Sequence, residues 1–397
     1  MKRVLFLTDN FYPELNAPAT RTLEHCKVWV KKGYDVTVIT GAPNFPKGKV
    51  FKGYKNKIFQ KEKIEGINVI RVWTYITANE GFLKRVFDYL SFMISSFFVG
   101  IFLKTDIIIA TSPQFFTAIS GRWLAFWKRK KWVMEVRDIW PESIKTVGVM
   151  KDGVAIRFFE FLEKRMYKSA HKIIVVTNGI KDYIVKEHSI DSEKIEVIRN
   201  GVNKEFFYPT PKKERLLKEL GVEKKIIVSY IGTHGMAHAL DFILKSIKEV
   251  SEDYHFLFIG EGAEKDRLIQ LKNELKLRNV TMIGMQPKNK IRDYISISDI
   301  SLVNLKKSDT FKGAIPSKIF ENAAMYKPIL LGLEGEAKDI IERYGIGVSF
   351  TPENKIAFLK QLDCLSEKKI KKEGFDKFIE DFNRTNLAIK MINFITI

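Results

Sequence analysis

The feature that most constrains this chain is an alternation of two periodicities. Short runs rich in β-branched residues recur at 4–8, 36–40, 67–72, 106–110, 132–136 and 173–177, with amphipathic stretches such as 19–32 between them. Continuous apolar runs suit strands buried on both faces, and stretches with a period near 3.6 suit the helices that cover them. The alternation therefore predicts a parallel sheet flanked by helices. It restarts at 226–231 and continues through a helix near 240–249 and runs at 255–259, 280–283, 300–303, 329–331 and 347–350. Two α/β domains follow, because 397 residues exceed what one hydrophobic core organises. Gly201, Pro209 and Pro211 supply turn chemistry between the halves, which sets the boundary near residue 205. The expected domains are thus 1–205 and 206–377, with a terminal helix at about 378–397 available to pack back on the first.

Charge narrows the partners without choosing one. The 67 Lys plus Arg against 47 Asp plus Glu leave a formal charge of +20, which attracts phosphates, nucleic acid or anionic lipid. The basic residues are spread over both halves and no recognition module is visible, so nucleic acid is not expected as a partner. Cys26 and Cys364 stand far apart without ligand spacing, which argues against a disulfide framework or a zinc site and fits a reducing, cytoplasmic setting. The apolar N-terminal run stops at Thr8-Asp9 with no small-residue cleavage site, so it reads as a buried strand. The longest apolar stretch, 90–103, is too short for a spanning helix.

In doubly wound sheets ligands bind beyond the carboxyl ends of strands, so the residues there carry most weight. Gly232-Thr233-His234-Gly235 follows the run 226–231, and Gly260-Glu261-Gly262 follows 255–259. Both junctions let backbone N–H groups approach a phosphate, and both equally suit tight turns. A nicotinamide-dependent dehydrogenase would need Gly-x-Gly-x-x-Gly after the first strand, and that motif is not found there. Further on, Ile315-Pro316-Ser317-Lys318 opens a helix with Glu321 three residues later. A lysine in a first helical turn opposes the dipole unless an anion is bound there, whereas Lys318 and Glu321 could also form an ordinary surface ion pair.

With those residues in view, the chain resembles glycosyltransferase family 4, the retaining GT-B enzymes, and within it the N-acetylfucosamine transferase-like branch of surface-polysaccharide synthesis. The resemblance rests on residues 33–40, on Val197-Ile198-Arg199-Asn200-Gly201-Val202-Asn203, and on Pro316-Ser317-Lys318 with Glu321. It implies two Rossmann-like domains facing each other across a cleft, with the nucleotide-sugar held by the C-terminal domain and the acceptor by the N-terminal one. Lys318 would neutralise the donor diphosphate and Glu321 would bind ribose. A UDP-linked N-acetylhexosamine donor, a polyprenyl-diphosphate-linked glycan acceptor and a metal-independent mechanism are the further implications. The nucleotide-sugar is a substrate, and no cofactor is expected.

The chain departs from the family at several places. Gly313 stands where the family often has a glutamate. Thr233, His234 and His238 occupy the neighbourhood of a missing Arg/Lys phosphate pair, and the early Gly-Gly loop reads Asn16-Ala17-Pro18-Ala19. Where relatives place His-Asp after a strand, this chain has Arg137-Asp138, followed by Trp140. Arginine cannot serve as a base, so Asp138 is the candidate catalytic residue, with a helix N-cap or a pair with Arg137 as the structural alternative. Asn16, Ala17, Arg137 and Trp140 are the candidate acceptor-side residues. Finally, 82–104 and 126–132 interleave basic and aromatic residues, which suits either the anionic inner face of a plasma membrane or a buried helix beside a solvated loop.

Overall fold

The computed structural model describes residues 1–14, 16–45, 47–77, 82–112, 115–139 and 153–397. They form two compact units, Met1–Arg199 with Arg384–Ile397, and Asn200–Asn383. The chain thus passes between units twice, at Arg199/Asn200 and again at Asn383/Arg384.

The first unit holds an eight-stranded sheet in the order β3-β4-β2-β1-β5-β6-β7-β8. These strands are β1 (Arg3–Leu7), β2 (Asp35–Thr40), β3 (Phe59–Ile64), β4 (Ile67–Val72), β5 (Ile107–Thr111), β6 (Lys131–Val136), β7 (Lys172–Val175) and β8 (Ile195–Val197). Every pairing is parallel except β3 with β4. The antiparallel β3 adds an edge strand to the expected parallel sheet. Its sequence, FQKEKI, is polar and half exposed along its length, as an edge strand that resists further pairing must be.

Side-chain alternation divides the core between the two faces of this sheet. Leu5 and Leu7 join a cluster with α2 (Phe82–Ile101) and α3 (Phe115–Lys128), while Val4 and Phe6 face α1 (Ala17–Lys31) on the other side. The second face is completed from far along the chain. Leu387, Ala388, Met391, Ile392 and Ile395 of the helix Arg384–Thr396 pack there with Trp29 and Val38. Trp29 also donates its indole N–H to the Ala388 carbonyl at 2.8 Å.

The second unit carries a six-stranded sheet, β11-β10-β9-β12-β13-β14, parallel throughout. It comprises β9 (Ile226–Ile231), β10 (Tyr254–Ile259), β11 (Val280–Ile283), β12 (Ile300–Asn304), β13 (Ile329–Gly332) and β14 (Gly347–Ser349). Val202 and Asn383, beside the two crossings, form a parallel bridge, with Val202 N–H donating to the Phe382 carbonyl at 3.0 Å.

The terminal helix makes a measurable contribution to the first unit. Met391 is fully buried, and truncation of such a side chain costs about 2–5 kcal/mol through lost burial and the cavity left behind. We expect Met391→Ala to lower the denaturation midpoint of the first unit while leaving the second unit's transition unchanged, as read by chemical unfolding followed with fluorescence and circular dichroism. An unshifted first transition would show that the helix is dispensable to that core.

Candidate functional site

In the second unit, the ends of β9 and β10 and the start of the helix Lys318–Ala324 converge. Gly232 and Gly260 both adopt positive φ, at 152° and 153°. A Cβ on Gly260 would fall 1.8 Å from the Gly232 carbonyl oxygen, and one on Gly232 would fall 2.8 Å from Lys318 Nζ. Only glycine permits this approach. The loops are further tied by His234 N–H to the Glu261 carbonyl at 2.9 Å and by Glu264 N–H to the His234 carbonyl at 3.0 Å. Gly262 lies against the His234 backbone, where a Cβ would come within 2.2 Å of its oxygen.

This geometry revises what the glycines offer. Gly232 N–H donates to Ile259 and Gly260 N–H to Ile283, at 2.9 and 3.1 Å. These amides are committed to the backbone, so the glycines contribute close approach rather than free donors. Gly235 leads into a short 3₁₀ turn, Met236–His238. Thr233 accepts a hydrogen bond from the Tyr230 hydroxyl through its carbonyl, at 2.7 Å.

The charged centre of the site is Lys318. Its Nζ is buried without a hydrogen-bond partner and lies 3.7 Å from the centroid of the Tyr230 ring. Burial lowers its pKa to about 7, against the opposing pull of Glu321. The surface ion-pair alternative for Lys318 and Glu321 is thereby set aside, because the ammonium is not at the surface. Ile315 packs in the core and anchors the turn, and Pro316 accepts from Ile319 N–H at 3.1 Å. Ser317 precedes the helix with no side-chain capping bond, and Asn322 donates to the Lys318 carbonyl at 2.7 Å. Both ring nitrogens of His234 are likewise buried without partners. Burial, with Lys265 and Lys318 nearby, lowers its pKa to about 4. A ring of unpartnered nitrogen around two glycine loops can receive an anion.

In the first unit, a buried ion pair organises the strand ends. Arg21 Nε donates to Glu135 Oε1 at 2.9 Å, and its other nitrogens reach the carbonyls of Ile198 and Arg199 at 2.9 and 2.8 Å. Burial pushes Glu135 upward, but Arg21 and Arg137 together hold its carboxyl below the usual range. Arg137 follows, with Nε and Nη1 buried and unpartnered, and burial lowers its pKa to about 10. Asp138 is exposed as a residue, while desolvation by the surrounding protein raises its carboxyl despite Arg137. Trp140 lies outside the described residues. Asn16 is a helix cap, accepting from Ala19 N–H at 2.9 Å and donating to Asn10 at 2.7 Å, and Ala17 begins that helix.

Other polar residues stand in no motif. Tyr230 and Asn304 line the second-unit site from within strands, where a sequence reader sees only core. Glu14, buried and accepting from the amides of Asn44 and Phe45 at 2.8 Å each, is raised by burial to about 7. Asp88 is raised by burial to about 8. Among the described residues no three His, Cys, Asp or Glu side chains gather as a metal site would require.

The basic and aromatic stretches also resolve. Helix α2 buries Phe92 and Ser96 toward α3 but leaves Phe87, Ile94 and Phe98 exposed, so it is only half a core helix. Phe102, Trp123, Phe126 and Trp127 extend this exposed set. Lys128 donates to the Ile101 carbonyl at 2.7 Å, satisfying the end of α2, so it serves structure while Arg129, Lys130 and Lys131 stay exposed. No helix among the described residues is long and apolar enough to cross a membrane.

The chain is similar to known proteins over most of its length. Residues 19–206 match Glycosyltransferase Family 4 and residues 212–381 match Glycosyl transferases group 1. The chain is 28% identical over 242 residues to a Pseudomonas aeruginosa protein named as glycosyltransferase WbjE, a match spanning 60% of this chain and 60% of that one. It is 24% identical over 366 residues, 89% of each chain, to an Escherichia coli protein named as colanic acid biosynthesis glycosyl transferase WcaI. A Campylobacter jejuni N-acetylgalactosamine-N,N'-diacetylbacillosaminyl-diphospho-undecaprenol 4-alpha-N-acetylgalactosaminyltransferase is 26% identical over 140 residues, 35% of this chain and 36% of its own. Among solved structures, sucrose-phosphate synthase from Thermosynechococcus elongatus superposes with a TM-score of 0.80 at 14% identity, covering 99% of this chain and 98% of that one. Anabaena Alr3699/HepE in complex with UDP and glucose gives 0.73 at 15% identity over 100% of both chains. From its first sheet to its second, the chain belongs to the glycosyltransferases of GT-B architecture, with a family 4 N-terminal part and a group 1 C-terminal part.

Proposed function

We propose that this glycosyltransferase is a retaining, metal-independent enzyme of polysaccharide or glycoconjugate synthesis that moves an N-acetylhexosamine-type sugar from UDP to a lipid-linked glycan. The observation that carries this reading is Lys318, a buried ammonium without a partner at the meeting of two glycine loops. An uncompensated buried cation is costly, and a diphosphate both pairs it and explains the glycines. The neighbour in complex with UDP and glucose supports the choice of nucleotide, and the Campylobacter relative's undecaprenol-linked substrate supports the choice of acceptor.

In this reading the second unit holds the donor. Lys318 neutralises the diphosphate, Glu321 accepts from the ribose hydroxyls, and Gly232, Thr233, His234, Gly235, Gly260, Gly262, Ile315, Pro316 and Ser317 shape the seat. The bond from the anomeric carbon to the diphosphate breaks as the acceptor oxygen bonds to that carbon from the same face. The acceptor's proton passes to the departing phosphate oxygen or to Asp138. Lysine supplies the charge stabilisation that a divalent ion would otherwise give. The first unit receives the acceptor at Asp138, Arg137, Trp140 and the Asn16-Ala17 turn.

The exposed aromatic set on α2 and α3 suits an enzyme whose acceptor lies in a membrane, at its inner face. Phe102, Phe126 and Trp127 would enter the interface while Lys104, Arg129, Lys130 and Lys131 meet anionic headgroups. Binding of the intact protein to anionic vesicles should therefore weaken with salt and fall sharply in Phe126→Ser/Trp127→Ser, measured by cosedimentation. Equal absence from neutral and anionic vesicles would remove the membrane from this reading.

Two substitutions test the chemistry. A charge-assisted hydrogen bond to phosphate contributes about 1.5–3 kcal/mol, so Lys318→Ala should weaken donor turnover by about 10- to 150-fold in a protein that still folds. Turnover equal to wild type would leave the buried lysine without a donor role. A thermal-shift panel of UDP, GDP, TDP and ADP sugars selects the nucleotide, since ligand at 100 times its Kd adds about 2.7 kcal/mol.

Asp138→Asn keeps the shape and removes the proton acceptor. It should lower transfer by about 100-fold or more with nucleotide affinity nearly unchanged. A structural cap would behave differently, because asparagine caps as well as aspartate. Near-normal transfer by the Asn variant would leave the donor's own phosphate as the sole base.

A further inference from the structure

A second nitrogen base stands beside Lys318. His238 closes the 3₁₀ turn after Gly235, and its Nδ1 lies 3.4 Å from the backbone carbonyl oxygen of Asn304. Asn304 Nδ2 donates back to the His238 carbonyl at 2.8 Å, so the two segments are clasped. A carbonyl only accepts, so Nδ1 carries the hydrogen and the lone pair is left on Nε2. The ring stands edge-on to Tyr230, with centroids 5.9 Å apart, and Tyr230 is the same ring that holds Lys318 Nζ. His234 lies against that ring as well, at 5.9 Å. Three nitrogen-bearing side chains therefore surround one tyrosine at the ends of β9 and β12.

We propose that His238 is a second ligand of the donor diphosphate and takes a proton on Nε2 as the diphosphate enters, so that donor capture is coupled to proton uptake. This rests on the reading of the second unit as the donor site. The proton comes from solvent, the only bond made is N–H, and the charge formed on the imidazole offsets one charge of the diphosphate. The coupling has a physical reason. Three permanent cations packed around one ring would repel one another in the empty site, whereas a neutral imidazole stores the same capacity at little cost.

The groups facing the pair of histidines agree. Lys318 and Glu321 come from the helix Lys318–Ala324, and Tyr230 comes from β9. Glu261 follows β10 and is engaged by Lys265 at 2.6 Å. Lys306 donates its backbone N–H to the Ala237 carbonyl at 2.8 Å with its side chain exposed. Asp241, at the start of the helix Leu240–Ile247, is bound by Lys245 and Arg267, each at 3.4 Å. No unengaged acid among these holds His238 charged before the ligand arrives. Burial and Lys318 accordingly lower its pKa to about 3.

Isothermal titration of the full chain near pH 6, in two buffers of different ionisation enthalpy, tests the coupling. The probe is UDP-N-acetylglucosamine or UDP-glucose, whichever binds, because their diester phosphates do not titrate near that pH. Lys318, with a pKa of about 7, is already largely protonated there and adds little to the count. Wild type should take up a substantial fraction of one proton on binding. His238→Gln, which cannot take up a proton, should lose that uptake and about 10-fold or more in affinity. Unchanged uptake and affinity in His238→Gln would overturn the proposal, as would uptake that disappears only in His234→Gln. If wild type binds no nucleotide sugar at any pH, the donor-site reading itself fails, whereas binding that is indifferent to His238 sinks the coupling alone.

Discussion

The second unit is arranged around one ammonium group that the protein itself leaves unpaired. Lys318 Nζ sits against the face of Tyr230 with no hydrogen-bond acceptor. A cation–π contact offsets about 2 kcal/mol when desolvated, far less than an isolated buried charge demands. The lowered pKa is the signature of that imbalance. Much of the surrounding construction follows from keeping the lysine there. A Cβ on Gly232, whose φ is 152°, would fall 2.8 Å from the ammonium, and Gly260 has no side chain because the Gly232 carbonyl is pressed against it. Asn322 and Ile319 fix the turn from which the lysine extends.

The first unit solves a comparable problem by a different route. Arg21 and Glu135 are both buried, yet the guanidinium spends its donors on a carboxylate and two main-chain carbonyls. Such an ion pair fixes geometry: it ties α1 to the end of β6 and to the segment 198–199, while Glu135 Oε2 stays buried without a hydrogen-bond partner. Asp138 lies three residues beyond Glu135, so its position is inherited from that anchor. Removing one partner would strand the other charge in the core, a far larger perturbation than replacing both.

How much of this could be read from the sequence depends on whether the signal is local. The two sheets are legible because strands buried on both faces need continuous apolar runs, and Val4-Leu5-Phe6-Leu7 supplies both faces in four residues. Strand β3 escapes because Lys61, Glu62 and Lys63 sit at an edge and need no apolar run, and β8 is only three residues long. At the second-unit site the glycines and Lys318 are conspicuous, but spacing shows only that Lys318 and Glu321 share a helix face. Whether that face meets solvent or Tyr230 depends on how β9 lies beside the helix. Tyr230 and Asn304 are silent for the same reason, since within a strand they read as filling. The half-exposed character of α2 is equally hidden, because an apolar helix carries the same residues whether its outer face is covered or bare.

The helix Arg384–Thr396 gives the chain an unusual order of assembly. The residues that open the sequence lay down the central strand of the first sheet, and α1 covers part of one of its faces, but that face is completed only when Leu387–Ile395 arrive. On a ribosome the whole second unit emerges between these two events. The second unit is therefore the one able to close as it is made, while the first must wait with part of its core, including the Trp29 indole N–H that the Ala388 carbonyl later accepts, still uncovered. Domains usually mature in the order in which they are translated, and here that order is inverted.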